Sequence, residues 1–328
     1  MVAYEAKTHF ERTEGWNLAV TWDDDVAAAS RTSGKFFEDN RRLIQGVAGH
    51  FEDLIESNHG TFFPRDRRAP WLDLLRDDLA VATQGRVPLL TNIGGHYLMG
   101  MTADHVASWE SAGEQAFLLA RGIGNMASRF VGAEEIHQHS NILNGPEISW
   151  WDGKSKKCFP NILAGEFDPA MSAALITIQG TCVITEQYAR TRCCTDCESA
   201  ALKHRFVLLY QILKSLDSLN ASTVALGPIA RQYLTTALEA PFAAEMLAER
   251  RYRQLRNGLV HLGFADLKDR VEGDWTFDSM IRAYSGRDRD VLEGLVDVTL
   301  RDLAETLTAW VLAPATRGGL FRVLRKKS

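Results

Sequence analysis

Leu202-Lys-His-Arg-Phe-Val-Leu-Leu-Tyr-Gln-Ile-Leu-Lys-Ser-Leu216 carries the clearest structural signal in the chain. Leu202, Phe206, Leu209, Tyr210, Leu213 and Leu216 recur every three or four residues, the spacing that lines one face of an α-helix. The pattern predicts a helix over 196–219, broken by Asn220-Ala-Ser222. Working outward, Asp168-Pro169 opens a helical pattern over 169–191. Downstream, helices are expected over 228–238 and from Pro241 to Leu262, with Gly263 where a left-handed cap would sit. Residues 264–286, with Gly273, Trp275 and Gly286, read as a loop, and 287–313 as a last helix closed by Pro314 and Gly318-Gly319. Arg322, Arg325, Lys326 and Lys327 then make a basic tail.

The first half reads less evenly. Leu18-Ala-Val-Thr-Trp22 suggests a short strand, and Asp23-Asp-Asp25 a helix start, because carboxylates favour the positive end of the helix dipole. Val26 to Ser57 has helical spacing, interrupted near Ser33-Gly34 and closed by His59-Gly60 and Pro64. Pro70 begins a helix expected to reach Thr83. Residues 84–104 hold Gly85, Pro88, Gly94, Gly95 and Gly100 and read as a loop; Asp104 starts a helix ending near Phe130. The stretch 132–168 is the most irregular. The expected class is all-α: a helical N-terminal region over 1–165, a helical bundle over 166–315 and the tail over 316–328.

The chain has 328 residues, 45% hydrophobic and 24% charged, the balance of a globular protein able to bury a core without disulfides. Its net charge of −5 means that nucleic acid would have to be held by a local basic patch rather than the overall field. The first twenty residues contain no apolar signal-peptide core, and no apolar run is long enough to span a membrane. Five cysteines, an odd number with four close together, suit a reduced cytoplasm.

Glu249-Arg-Arg-Tyr-Arg-Gln-Leu-Arg-Asn-Gly-Leu-Val-His261 gathers the most chemistry in the shortest space. Arg250, Arg251, Arg253 and Arg256 supply planar forks suited to phosphate, and His261 an imidazole whose proton moves near neutral pH. Asn257 and His261, four apart, share a helix face, while Arg256 is offset from His261 by roughly 140°. Gly258 lowers helix propensity by about 1 kcal/mol relative to alanine, which suggests a close backbone approach. Metal-free RNA cleavage needs a base for the 2′-hydroxyl, an acid for the leaving 5′-oxygen and a cation for the charge on phosphorus. One histidine does not serve both proton transfers at once, so the mechanism asks for two copies meeting about a two-fold axis.

Arg256-Asn257-x-x-x-His261, following a basic helix in a helical C-terminal half, resembles the HEPN superfamily, the nucleotide-binding domains of higher eukaryotes and prokaryotes. The resemblance covers roughly 169–313. It implies a four- or five-helix bundle, dimerisation around the motif and, often, metal-independent endoribonuclease activity of a toxin–antitoxin or antiviral-defence kind. Carried onto this chain, it makes His261 the proton-transfer residue and Arg256 the scissile-phosphate ligand. Asn257 then binds phosphate or orients the histidine, with Arg250 and Arg253 guiding the RNA backbone. The partners it implies are RNA, a second copy and a cognate antitoxin or defence protein; no metal or other cofactor is expected. Two other readings stay open. One is a HEPN-like module that binds nucleotide or protein without cutting. In the other, the arginines are a solvated face partnered by Glu245 and Glu249, and His261 with Gly263 is a cap.

Lesser signals complete the reading. Cys193 or Cys194 with Cys197, and Cys182 or His204, could supply zinc ligands, but no second matching pair exists; buried or free thiols are the simpler reading. Glu134, His137 and His139 lie in a glycine-rich loop and make a weak metal motif. Gly122-Ile-Gly124 lacks the third glycine and preceding strand of a dinucleotide fingerprint. Trp150, Trp151 and Phe159 beside Lys154, Lys156 and Lys157 could stack bases and attract phosphate; anchoring a long loop onto the core is the simpler reading. Tyr210 and Asp217 are candidates to orient His261.

Overall fold

The computed structural model describes residues 36, 41–62, 77–108, 110–118, 120–121, 148–190, 198–222, 224–261 and 277–313. The expected strand at Leu18–Trp22, the metal motif at 134–139, Gly122–Gly124, Cys193, Cys194, Cys197, the cap at Gly263 and the basic tail all lie outside these residues. The chain packs as two compact units, Met1–Thr181 with Thr308–Ser328, and Cys182–Leu307.

The described residues are mostly helical, as expected, but the first unit also contains a three-stranded antiparallel sheet, in the order β2-β1-β3, that the all-α reading lacks. Strand β1 is Leu79–Gln84, β2 Val87–Thr91 and β3 Ile148–Gly153. Residues 79–83, expected to end a helix, pair with β3, and from Val81 onward with β2 as well, in register Ala82↔Leu90 and Ala82↔Trp150. Residues 84–104, expected as a loop, contain the hairpin turn, β2 and a helix. Gly85 (φ +59°) supplies the left-handed conformation that the two-residue turn needs. The glycines that suggested a loop are turn and packing glycines.

Helix α1 (Arg41–Phe62) runs past His59-Gly60 and buries Val47, Phe51 and Leu54. It packs on α2 (Asn92–Leu98), where Tyr97 stacks on Phe51 at 4.5 Å, and on the short α3 (Ala103–Val106). Thr91 caps α2, its hydroxyl oxygen accepting from Gly94 N at 2.9 Å. A one-turn helix α4 (Ser155–Cys158) follows β3. Helix α5 (Pro169–Arg190) comes so close to β2 that a Cβ on Gly180 would sit 2.0 Å from the Leu89 carbonyl oxygen. Gln179 Nε2 donates to the Pro88 carbonyl (3.0 Å), so this helix covers the β2 side of the sheet. β3 forms the other edge.

The described elements of the second unit are all helices. Helix α6 (Glu198–Asn220), the amphipathic stretch first singled out, buries Leu202, Phe206, Leu209, Tyr210, Leu213 and Leu216, as its period requires. It packs against α7 (Pro228–Leu238), α8 (Pro241–Ala248) and α9 (Arg250–His261). The single helix expected over 241–262 is two, because Glu249 is extended (φ −97°, ψ 121°). Part of the expected loop 264–286 is helix α10 (Phe277–Ser285), which lies on α9. Helix α11 (Arg289–Val311) is tied to α6 by buried Arg205, which donates to Glu293 (2.6 Å) and to Asp297. No helix among the described residues is long and apolar enough to cross a membrane.

Candidate active site

Helix α9 carries Arg256, Asn257 and His261 on one continuous helical backbone, with His261 its last residue. The His261 side chain lies outside the described part of the structure. Tyr252, Leu255, Leu259 and Val260 form the apolar face that fastens the helix to its unit. The charged residues sort onto the remaining surface by period. Arg250 and Arg253 are exposed and, among the described residues, join no ion pair, so both cations face solvent. Arg251 is engaged, with Glu245 at 2.8 Å and Glu249 at 2.5 Å.

Arg256 behaves differently from Arg250 and Arg253. It is only 6% exposed, and its Nη1 donates to Asn257 Oδ1 at 3.0 Å. A guanidinium has five N–H donors, and burying one is costly unless they are satisfied. The side-chain amide of Asn257, itself half-buried, accepts one of them. Arg256 and Asn257 are therefore brought together, and Arg250 and Arg253 lie near the start of the same helix. Gly258 is buried, in keeping with a close approach at that point.

The candidates for orienting His261 are placed as follows. Tyr210 is buried, and Asp217 accepts from Lys214 Nζ at 2.8 Å. Of the suggested zinc ligands, Cys182 is fully buried with its thiol donating to the Leu300 carbonyl, and burial pushes its pKa up. Burial pushes the His204 pKa down. Cys158 is also buried, its thiol pushed up to about 12 by desolvation and by the nearby Asp78 carboxylate. Such thiols stay protonated and unreactive near neutral pH. No group of three His, Cys, Asp or Glu side chains among the described residues is arranged to hold a metal.

Two carboxylate clusters escaped the sequence reading. In the second unit, Glu245 on α8 accepts from Tyr252 OH (2.6 Å), Arg251 Nη2 (2.8 Å) and Arg287 Nη2 (2.6 Å). Burial alone would raise its pKa, but the hydrogen bonds from Tyr252, Arg287 and Arg251 hold it below the usual carboxylate value. Glu245 and Tyr252 would be about 10.5 Å apart along an unbroken helix, so the bend at Glu249 makes this contact possible. Gly286 (φ +68°) turns the chain so that Arg287 reaches the same carboxylate. The cluster thereby pins the start of α9. Spacing gave a hint of Arg251 as partner, but none of Arg287, forty-two positions from Glu245.

In the first unit, buried Asp78 accepts from Ser155 N and Ser155 Oγ, both at 2.7 Å, and lies 3.1 Å from His59 Nδ1. Serine, histidine and aspartate meet here, but the carboxylate stands between the other two. The serine hydroxyl donates to Asp78 rather than to an imidazole base, so nothing activates it as a nucleophile. The group works as a brace that joins α1, the start of β1 and the start of α4.

Comparison of this chain with family models, with characterised proteins and with solved structures found no match.

Proposed function

We propose that the chain is a metal-independent endoribonuclease, of the kind used in toxin–antitoxin or antiviral defence, acting through helix α9. The observation that carries this reading is the Arg256–Asn257 pair on a helix that also ends in His261 and on which Arg250 and Arg253 are exposed and join no ion pair among the described residues. The arginine–asparagine–histidine spacing, in a unit whose described elements are all helices, supports a HEPN-like bundle. In the proposed reaction His261 removes the proton of the ribose 2′-hydroxyl. The 2′-oxygen then attacks phosphorus, and the 5′-oxygen leaves with a proton supplied by His261 of a second copy. The products are a 2′,3′-cyclic phosphate and a 5′-hydroxyl. Arg256 offsets the charge that builds on the phosphoryl oxygens, and Arg250 and Arg253 attract the flanking backbone.

The burial of Arg256 favours a second reading, a HEPN-like module that binds a nucleotide or protein without cutting. A guanidinium that is only 6% exposed is placed to support the helix as readily as to meet a phosphate. One experiment separates the two. Purified protein is incubated with mixed RNA in the presence of a chelator, wild type beside His261→Ala and Arg256→Ala. The nuclease reading expects chelator-resistant cleavage by wild type, ends bearing cyclic phosphate, and loss of at least a hundredfold in rate for both variants. Equal cleavage by His261→Ala overturns the catalytic assignment. Absence of cleavage by wild type, with Arg256→Ala lowering the melting temperature, supports the binding module.

A further inference from the structure

The exposed face of β3 offers a second site, remote in sequence from α9. The strand occupies the edge of its sheet, and side chains alternate between its two faces. Trp151 uses the face shared with Val81, donating its indole N–H to Thr83 Oγ1 at 2.9 Å. Ile148, Trp150 and Asp152 lie on the opposite face. There Trp150 is 66% exposed and Ile148 48% exposed. The backbone stays extended through Lys154 (φ −106°, ψ 123°) before the one-turn helix that carries Lys156 and Lys157. Both of these lysines are exposed and join no ion pair among the described residues. Phe159, the third aromatic of this stretch, is buried and unavailable.

We infer that Trp150, with Lys156 and Lys157, forms a docking surface for single-stranded RNA in the first unit. This rests on the reading of the chain as a protein that acts on RNA. An indole on a sheet surface gives a base a flat apolar partner whatever the base's identity. The four residue-to-residue steps from Trp150 to Lys154 span at most roughly 14 Å. The helical turn then adds only about 1.5 Å per residue, so the two ammonium groups lie within reach of a short strand stacked on Trp150. Asp152, also exposed, repels phosphate and keeps the sugar–phosphate chain off the strand itself. The charge pattern matches a nucleic acid better than an apolar protein surface, because two exposed lysines follow a lone indole and one aliphatic side chain in sequence.

The test measures binding of a fluorescein-labelled 20-nucleotide oligo(U) by anisotropy. The full chain is used in the His261→Ala background, which keeps the RNA whole under the proposed mechanism. Trp150→Ala is expected to weaken binding about 5- to 100-fold, and Trp150→Leu by a similar factor, since leucine keeps apolar area but has no π-face. Trp150→Phe should recover most of the affinity. Replacing both lysines by alanine should flatten the slope of log K against log[salt] by about 1.4, which is two phosphate contacts on a single strand. Binding by Trp150→Leu equal to that of the parent overturns the proposal. So does a sedimentation coefficient that falls in Trp150→Ala without RNA, which would assign the face to a second copy. The outcome is separable from that of the active-site reading. Cleavage that depends on His261 but not on Trp150 defeats only this surface. Trp150-dependent binding by a chain that never cuts defeats only the nuclease.

Discussion

Asp78 in the first unit and Glu245 in the second do the same kind of work in different surroundings. Each is a carboxylate that joins segments distant in sequence, and each collects three donors. Asp78 is buried, and two of its donors are the amide and hydroxyl of Ser155, itself 2% exposed. Two of the donors to Glu245 are guanidinium groups about one-third open to water. Only Tyr252 in that cluster is fully buried. Charge makes the second cluster look the stronger. Desolvation reverses the order, because a donor that loses its acceptor costs free energy in proportion to how completely water is kept from it.

Asp78→Ala is therefore expected to have the larger effect. It strands two buried donors at about 1–3 kcal/mol each, and a loss of about 3–5 kcal/mol should appear in urea denaturation. Glu245→Ala leaves Arg251 and Arg287 free to hydrate and strands mainly the Tyr252 hydroxyl, for about 1–3 kcal/mol. A larger loss for Glu245→Ala than for Asp78→Ala would break the comparison. Acid titration sharpens it. Glu245 has a lowered pKa in the folded state, so its contribution is fully present above the ordinary carboxylate value of 4.5. That contribution fades as pH drops below 4.5 and through the depressed value. The gap in stability between wild type and Glu245→Ala should close over that acidic window and stay constant above it. A gap that instead widened on acidification would show that the hydrogen bonds do not favour the ionised form.

What could be read from the sequence follows the range of the interactions. Helices α6, α7 and α11 were legible because their signals are local, whereas α10 falls in a stretch read as a loop. The apolar period of α6 and Pro228 at the start of α7 lie within a few residues of what they specify. The sheet was not legible. Leu79-Ala-Val-Ala-Thr is as compatible with a helix as with a strand, and its partner β3 is about seventy residues away. The bend at Glu249 has no proline or glycine to announce it, and its reward, the Glu245–Tyr252–Arg287 cluster, depends on a turn after α10. In the candidate site, the sequence named Arg250 and Arg253 as charged positions and the structure exposes both, whereas the Arg256–Asn257 hydrogen bond was not anticipated. That Arg256 would be buried depended on the packing of α9 into its unit, which spacing alone does not report. Trp150 and Trp151 show the same limit. They are adjacent and chemically identical, and only the pairing of β3 decides which one faces the core.

The smallest expected effect concerns Asp217, which could have been the partner that orients His261. Its carboxylate is 40% exposed and paired with Lys214 one helical turn away, a lysine that is itself 37% exposed. Water competes well for both charges, and such i, i+3 pairs contribute a few tenths of a kcal/mol. Asp217→Asn should change stability by less than about 0.5 kcal/mol and leave the rate and pH profile of the proposed RNA cleavage unchanged. A carboxylate that held the imidazolium would do otherwise. Its neutralisation would lower the pKa of His261 and move the corresponding limb of the profile to lower pH. A shift of that kind, without loss of stability, would restore Asp217 to the site and show that the second copy or the RNA draws it away from Lys214.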